Sequence, residues 1–386
     1  MKKIFYILLI ISFAGCKGKD SIETREINIV IDPDNSEKVD ISGYVDSVKY
    51  IKLQTTDDNL IGYINKVFFV DNRILVTDGK VPQILIFDTD GNFLNKIGKI
   101  GQGPGEYTGI TTSLFDPTNK LIIIHNNGLR KLLFFTLDGE LIKEIHRFND
   151  NALIRKMINL PNGNFLCYTY DLTSKQVGEK ASGLWEVDAS GNFVRSFFTL
   201  EDLYPVVYNY DNSPFTLLPD GKISVMDAIW GNIYHFESDS LRKYISYEVK
   251  GNSLKSLKGN SYSKEQYTSC STSQDKSDYI FTQWNDGNHN YITVYSKKDN
   301  KNVLIYPQTM FWAERKVVMP SDILFIDSNN FNALVSSISG DAIVDFLKEN
   351  HASEKTKNDL NELIKGMNER EITDMNPILQ LLYIKK

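Results

Sequence analysis

Phe87-Asp88-Thr89-Asp90-Gly91-Asn92-Phe93, Phe135-Thr136-Leu137-Asp138-Gly139-Glu140-Leu141 and Val187-Asp188-Ala189-Ser190-Gly191-Asn192-Phe193 are three copies of one pattern. In each, an apolar strand runs into a turn that ends in glycine, and a second strand leaves it. Asp or Asn with Gly supplies the left-handed backbone that a tight hairpin needs. The pattern returns about every fifty residues, and only strands separate its copies. A strand-only repeat of that length predicts the blades of a β-propeller.

A second landmark recurs in each unit, a turn leading into an apolar strand. It begins at Asp71, Asn119, Asn162, Asp220, Lys276 and Ser321. Six landmarks predict six blades. The fourth blade closes with strands at 233–237 and 241–245, the fifth with strands at 291–295 and 303–306. The sixth lacks this hairpin. Ile343, Phe346 and Leu347, then Leu360, Leu363, Ile364 and Met367, have helical spacing instead, which predicts a helical insertion over about 338–371. The chain then returns to an apolar run at 377–384, and near its start 48–53 alternates cleanly. A ring must hide its edge strands, so both runs are expected in the sixth blade, closing the ring. The expected fold is all-β: a six-bladed β-propeller over 43–386 with a small helical insertion in the closing blade.

The first fifteen residues read as a signal peptide. Lys2 and Lys3 precede an apolar run at 4–11, too short to span a bilayer. Ser12-Phe13-Ala14-Gly15-Cys16 resembles the lipobox of bacterial lipoproteins. That resemblance implies cleavage before Cys16 and a diacylglycerol on its thiol; an ordinary signal peptide with an incidental cysteine is the alternative. Each buried CH₂ of an acyl chain contributes about 0.8 kcal/mol, so several chains anchor stably. Residues 16–42 are then expected as the lipidated cysteine and a flexible stalk. Cys167 lies in an apolar strand and Cys270 in a Ser/Thr-rich stretch read as a loop. Their contexts differ, so two free thiols are expected.

The net charge of −6 is spread over interleaved Lys, Asp and Glu, with no basic stripe, which argues against a nucleic-acid partner. Aromatic residues make up 12% of the chain, which suits pleated strands.

Two segments resemble a family. Ile97-Gly98-Lys99-Ile100-Gly101-Gln102-Gly103-Pro104-Gly105-Glu106-Tyr107 resembles the Gly-Gln-Gly-Pro-Gly-Glu-Tyr signature of the Bacteroidetes-type six-bladed, NHL-like β-propeller lipoproteins. Asn376-Pro377-Ile378-Leu379-Gln380-Leu381-Leu382-Tyr383-Ile384-Lys385 is similar to their closing strand, and Tyr50-Ile51-Lys52-Leu53-Gln54-Thr55 with Leu60-Ile61-Gly62 to their opening region. The resemblance implies a cell-envelope, outer-membrane lipoprotein. It brings no catalytic residues, because the family has no settled activity. Some surface lipoproteins of such bacteria carry an acidic pair after the lipidated cysteine. Lys17-Gly18-Lys19-Asp20 departs from that, leaving periplasmic and surface exposure both open.

The glycines at 98, 101, 103 and 105 do not form a dinucleotide loop, since no helix follows and Pro104 breaks the spacing. Two readings remain. The cluster is an inter-blade crossover, with turns of positive φ and with Glu106 and Tyr107 bonded to the next blade. Alternatively, Gln102, Glu106 and Tyr107 form a ligand-binding face at the channel mouth. His125, His146, His235, His289 and His351 show no paired spacing, so no metal or other cofactor is expected. Asp286-Gly287-Asn288 lacks the remaining carboxylates of a calcium loop and reads as a turn. Tyr204, Tyr208, Tyr210, Trp230, Trp284 and Trp312 either fill space between blades or grip a sugar or peptide. Arg73, Arg130, Arg155 and Arg315 either line a polar channel or stand in solvent.

The expected function is a lipid-anchored binding or scaffold module, monomeric, with an envelope protein, peptide or glycan as partner. The alternative is a propeller lyase or hydrolase with its site at the channel mouth, which rests on fold analogy.

Overall fold

The computed structural model describes residues 26–32, 43–148, 153–169, 183–198, 213–218, 220–227, 231–237, 239–250, 269–276, 278–285, 290–305, 311–312, 315–316, 333–348 and 354–385. Two strands precede the first blade, β1 (Ile27–Ile31) and β2 (Val45–Lys52). Blade 1 is a meander of β3 (Ile64–Val70), β4 (Arg73–Asp78), β5 (Gln83–Asp88) and β6 (Phe93–Ile97). A crossover holding β7 (Lys99–Ile100) and β8 (Glu106–Tyr107) leads to blade 2, made of β9 (Thr112–Asp116), β10 (Leu121–Asn126), β11 (Lys131–Thr136) and β12 (Leu141–His146). Blade 3 comprises β13 (Lys156–Asn159), β14 (Phe165–Thr169), β15 (Gly183–Val187) and β16 (Phe193–Phe198). Blade 4 has β17 (Phe215–Leu217), β18 (Ile223–Met226), β19 (Ile233–Glu237) and β20 (Ser240–Val249). Blade 5 has β21 (Ser269–Asp275), β22 (Tyr279–Asn285), β23 (Asn290–Ser296) and β24 (Lys301–Ile305). A short hairpin, β25 (Phe311–Trp312) and β26 (Arg315–Lys316), precedes β27 (Ala333–Ile338). Helices α1 (Gly340–Lys348), α2 (Glu354–Leu363) and α3 (Glu369–Thr373) then lead to β28 (Ile378–Ile384).

The sixth blade joins both ends of the chain. β28 pairs antiparallel with β27 on one side and with β2 on the other, Leu379 standing opposite both Ser337 and Ile51. The helical insertion therefore sits between two paired strands of the closing blade. β27 is the strand that pairs with β28; the landmark expected at 321–326 lies outside the described residues.

The second strand of a blade is buried along nearly its whole length because each blade packs against a neighbour on both faces. In β10, Ile122 and Ile124 pack with Leu75, Ile84 and Ile86 of blade 1, while Ile123 packs with Met157, Phe165 and Trp185 of blade 3. This is the period-two pleat applied to a sheet with two apolar sides. Outer strands such as β12 are largely exposed. The repeated turns behave as their composition requires: Gly91, Gly139 and Gly191 all sit near φ +90°, and Asp88 Oδ1 accepts the Asp90 and Asn92 N–H groups at 2.9 Å each.

The meanders give the ring two faces. Turns joining first to second and third to fourth strands lie on one, called the hairpin face below. Turns joining second to third strands, and the crossovers between blades, lie on the other, the crossover face.

Two expectations need correction. The 16–42 segment is not all stalk, since β1 adds a parallel fifth strand beyond β20 on blade 4, with Ile29 opposite Tyr247. Ile29 and Ile31 are buried with Met226, Ile233, Trp284 and Leu304, and Val30 points outward. β20 is a ten-residue outer strand, and β1 covers its edge. Cys270, expected in a loop, lies in β21 opposite Trp284. The hydroxyl-rich run can be a strand because its side chains find partners inside the sheet, as Ser273 Oγ does with Thr282 Oγ1 at 3.2 Å. Cys167 is a free, buried thiol.

Candidate functional site

Between Gly98 and Tyr107 the chain leaves blade 1 and doubles back, Lys99 and Ile100 pairing in parallel with Glu106 and Tyr107. Gly98 has φ +67°, and a Cβ there would collide with the Tyr107 ring. The Glu106 carboxylate fills the loop's interior. Its Oε2 accepts the Gly103 N–H at 2.8 Å, and a side chain at Gly101 would overlap it. Tyr107 is buried, and its hydroxyl donates to the Ile97 carbonyl at 2.7 Å. Burial pushes that phenol well above its ordinary pKa.

A buried ion pair fastens this loop to blade 2. Lys131 Nζ lies 2.6 Å from Glu144 Oε1 and donates to the Gly103 carbonyl at 3.0 Å. Glu144 Oε2 accepts the Gly105 N–H at 2.8 Å. Burial opposes the charge on Glu144, but the Gly105 N–H and Lys131 outweigh it and hold the carboxyl below its usual range. Lys131 lies on β11 and Glu144 on β12, the outermost strand, so the loop is tied to the outer half of the blade rather than beside the innermost β9. The structure thus brings Gln102, Glu106 and Tyr107 together on one loop. Gln102 is exposed, whereas Glu106 and Tyr107 make the loop's internal bonds.

On the opposite, hairpin face a cavity of about 380 Å³ opens along the junction of blades 2 and 3 and reaches the first strands of blades 1 and 4. Lys66 and Phe68 of β3 and Leu217 of β17 form its inner end. Phe134 of β11, Lys143 of β12 and Ala189 in a blade 3 turn form its outer end. Lys66 Nζ donates to the Ser113 carbonyl at 3.2 Å and stands 4.8 Å from the Phe68 ring centre. Lys143 Nζ stands 5.6 Å from the Phe134 ring centre. Asp116, on the rim, is engaged by its own turn, accepting from Thr118 N, Asn119 N and Asn119 Nδ2 at 2.9, 3.2 and 2.7 Å. A largely apolar hollow of this size with a few fixed polar groups matches small-ligand sites in general. Sequence reading missed it because its residues come from four blades and occupy ordinary strand and turn positions.

The family described as a domain of unknown function, DUF4934, matches residues 24–383. The chain belongs to this family. Among curated proteins none matches. Among solved structures, the chain is similar to an assumed exported protein from Bacteroides fragilis NCTC 9343 at 18% identity, over 93% of this chain and 100% of that one, with a TM-score of 0.71. It is also similar to a DUF4221-family member from Bacteroides vulgatus (11% identity, 88% and 97% covered, TM-score 0.49). A virginiamycin B lyase from Staphylococcus aureus is more distant (13% identity, 75% and 81% covered, TM-score 0.40). The first likeness shows a shared fold, and the other two add nothing to it.

In this DUF4934 propeller the remaining sequence candidates scatter. His125 is buried, edge-on to Phe148 at 5.8 Å, and burial drives its pKa down to about 4, so the ring is neutral at pH 7. His235 Nε2 lies 3.2 Å from the buried Asp275, which also holds Lys297, and this cluster joins blades 4 and 5. Trp284 is buried and donates to Thr293 Oγ1 at 3.0 Å, a space-filling role. Arg73 bridges to Asp138 and the Leu137 carbonyl of blade 2, both at 2.8 Å. Arg130 and Arg155 are exposed. Tyr204, Tyr208, Tyr210, Trp230, residues 286–288, His289 and His351 lie outside the described residues, as do the side chains of Trp312 and Arg315. Among the described residues no group of three His, Cys, Asp or Glu is placed to hold a metal ion, and no helix is long and apolar enough to cross a membrane.

Proposed function

We propose that this propeller is a binding module of the cell envelope, tethered through a lipid on Cys16, and that it holds a small amphipathic ligand in the hairpin-face cavity. The cavity carries the reading: it is concave, lined mainly by apolar side chains, and framed by strands whose positions the packing of adjacent blades fixes. The anchor rests on Ala14-Gly15-Cys16 following the apolar run. With β1 docked on blade 4, only residues 17–26 separate that cysteine from the fold, a reach of at most roughly 35 Å when extended. The tether is short and starts from the rim of blade 4. Gln102, exposed on the crossover face, remains a proposed contact for a partner, with Glu106 and Tyr107 holding its loop in shape.

The test is native mass spectrometry of residues 17–386 after incubation with a small-molecule extract of the source cell envelope. Ala189→Trp, in an exposed turn at the outer mouth, should block the cavity without disturbing the fold. The parent should carry an adduct that Ala189→Trp lacks; equal adducts on both would refute the reading. For the anchor, Cys16→Ala should leave the precursor uncut or release the protein from membranes, and a processed variant still in the membrane fraction would contradict it.

A further inference from the structure

Among the described residues, blade 4 alone has a fifth strand, and that strand takes no part in closing the ring. β2, β28 and β27 share the closing sheet, while β1 lies on the outside of blade 4. β20 is ten residues long, and its pairing with β19 ends where Ile245 stands opposite Ile233. Residues 246–249 run past that point, and among the described residues β1 is their strand partner. The contact is small. It is a parallel pair of five residues, a pairing slightly weaker per residue than an antiparallel one. Ile29 and Ile31 are buried and Ile27 partly so, whereas Asn28 and Val30 are exposed. Polar contacts stand at both ends: Ser246 Oγ donates to Glu26 Oε1, and Lys250 Nζ lies 2.8 Å from Asp32 Oδ2 in the open. Few buried apolar contacts and exposed ends put a segment at the low end of local stability.

β1 also stands between Cys16 and the ring. While it is docked, residues 17–26 are the tether, reaching at most roughly 35 Å from the rim of blade 4. Once it leaves β20, the chain is held at β2, and residues 17–44 are the tether, reaching at most roughly 100 Å from blade 6. We propose that β1 is a releasable strap: docked, it holds the propeller close to the membrane by blade 4, and released under load it lets the ring move out on a longer tether from blade 6. This rests on the anchor reading above and adds how the tether's reach is set. A pull from the membrane arrives at the Ile27 end of β1 and opens the pair from there. The ring keeps its closure, because the ladders joining β2 to β28 and β28 to β27 do not involve β1. Release bares Ile29, Ile31 and the surface at Met226, Ile233 and Trp284, and the cost of wetting them draws the strap back when the load ends.

Native-state hydrogen exchange of residues 17–386 in sub-denaturing urea tests the release. Amides bonded across the β1–β20 pair, within 28–31 and 246–249, should exchange about a hundredfold or more faster than those of β4 and β10. Ile29→Ala should quicken the first group by a further tenfold, about, and leave the second unchanged. One common rate for both groups would show that β1 opens only with the whole ring, and would overturn the proposal. Neutron reflectometry tests the reach, with residues 17–386 held on a nickel-chelating supported bilayer by an N-terminal histidine tag. Unstructured chains of the two tether lengths average roughly 17 and 29 Å end to end, so the Ile29→Asp ring should lie about 10 Å farther out than the parent's. Should Ile29→Asp lose its cooperative melt, Ile29→Ala with Ile31→Ala, which adds no charge, gives the same comparison. Equal spacing for parent and detached variant would overturn the proposal. The tag replaces the lipid, so these outcomes are separate from the Cys16→Ala result, which alone judges the anchor.

Discussion

Asn376 Oδ1 accepts the N–H of Ile61 at 2.8 Å, joining the loop before the closing strand to the loop after the opening one. The same side chain donates from Nδ2 to the Gln54 and Asn59 carbonyls at 2.9 and 3.0 Å. It is almost fully buried, so these groups have no water to fall back on. One amide thus satisfies three backbone groups from the far end of the chain, next to the sheet in which β2 and β28 close the ring.

Asn376→Ala should leave those three groups without partners and cost on the order of 3 kcal/mol. Urea denaturation followed by tryptophan fluorescence measures it. A midpoint equal to the parent's would mean that closure does not depend on this lock.

The crossover loop gives an ordered pair of effects. Glu144→Gln leaves Lys131 buried without its counter-charge and should cost about 3–5 kcal/mol. Glu106→Gln weakens one bond to Gly103 and should cost about 1 kcal/mol. Chemical denaturation of both variants should show this order, and the reverse order would show that the loop is held from within rather than by blade 2.

His125 makes stability depend on pH. Its ring titrates at about 4 when folded, against its ordinary value of 6.5. Between those values the unfolded chain binds more protons, so stability falls as pH drops through that window and levels off below it. The full loss is on the order of 3 kcal/mol. His125→Phe should be less sensitive than the parent between pH 6.5 and 4 in urea titrations. Equal pH slopes for the two proteins would contradict the assignment.

The N-terminal strand should detach on its own. Ile29→Asp puts a charge where Met226 and Trp284 pack, and loses an apolar side chain whose burial contributes about 2–3 kcal/mol. Hydrogen exchange should then quicken at 245–249 in β20, while blades 1 to 3 keep their protection. Unchanged exchange at 245–249 would mean β1 does not protect that edge.

Most of the ring is legible in the sequence, because propeller turns announce themselves. Asp88 to Gly91 and Asp188 to Gly191 fix their hairpins locally, and the apolar runs of β4 and β10 need no distant information. Ring closure follows from the need to cover edges, and β2, β27 and β28 share one sheet as that argument requires. β1 was hidden by its polar surroundings: five residues of weak alternation become a strand only because β20 offers an edge. The site was the least legible part. Gln102, Glu106 and Tyr107 stand out as a motif, yet Glu106 and Tyr107 spend their polar groups inside the loop. Lys66 and Phe134 have no motif at all, since their neighbourhood exists only once blades 1 and 2 are side by side.

The central claim is that the ligand sits on the hairpin face, and a hydrogen-exchange footprint tests it most directly. Residues 17–386 are compared with and without the small-molecule extract of the source cell envelope. Amides in the cavity-rim turns at 116–119 and 160–163 should slow, while those at 98–107 on the crossover face stay unchanged. Slowing confined to 98–107, or none on either face, would contradict the account.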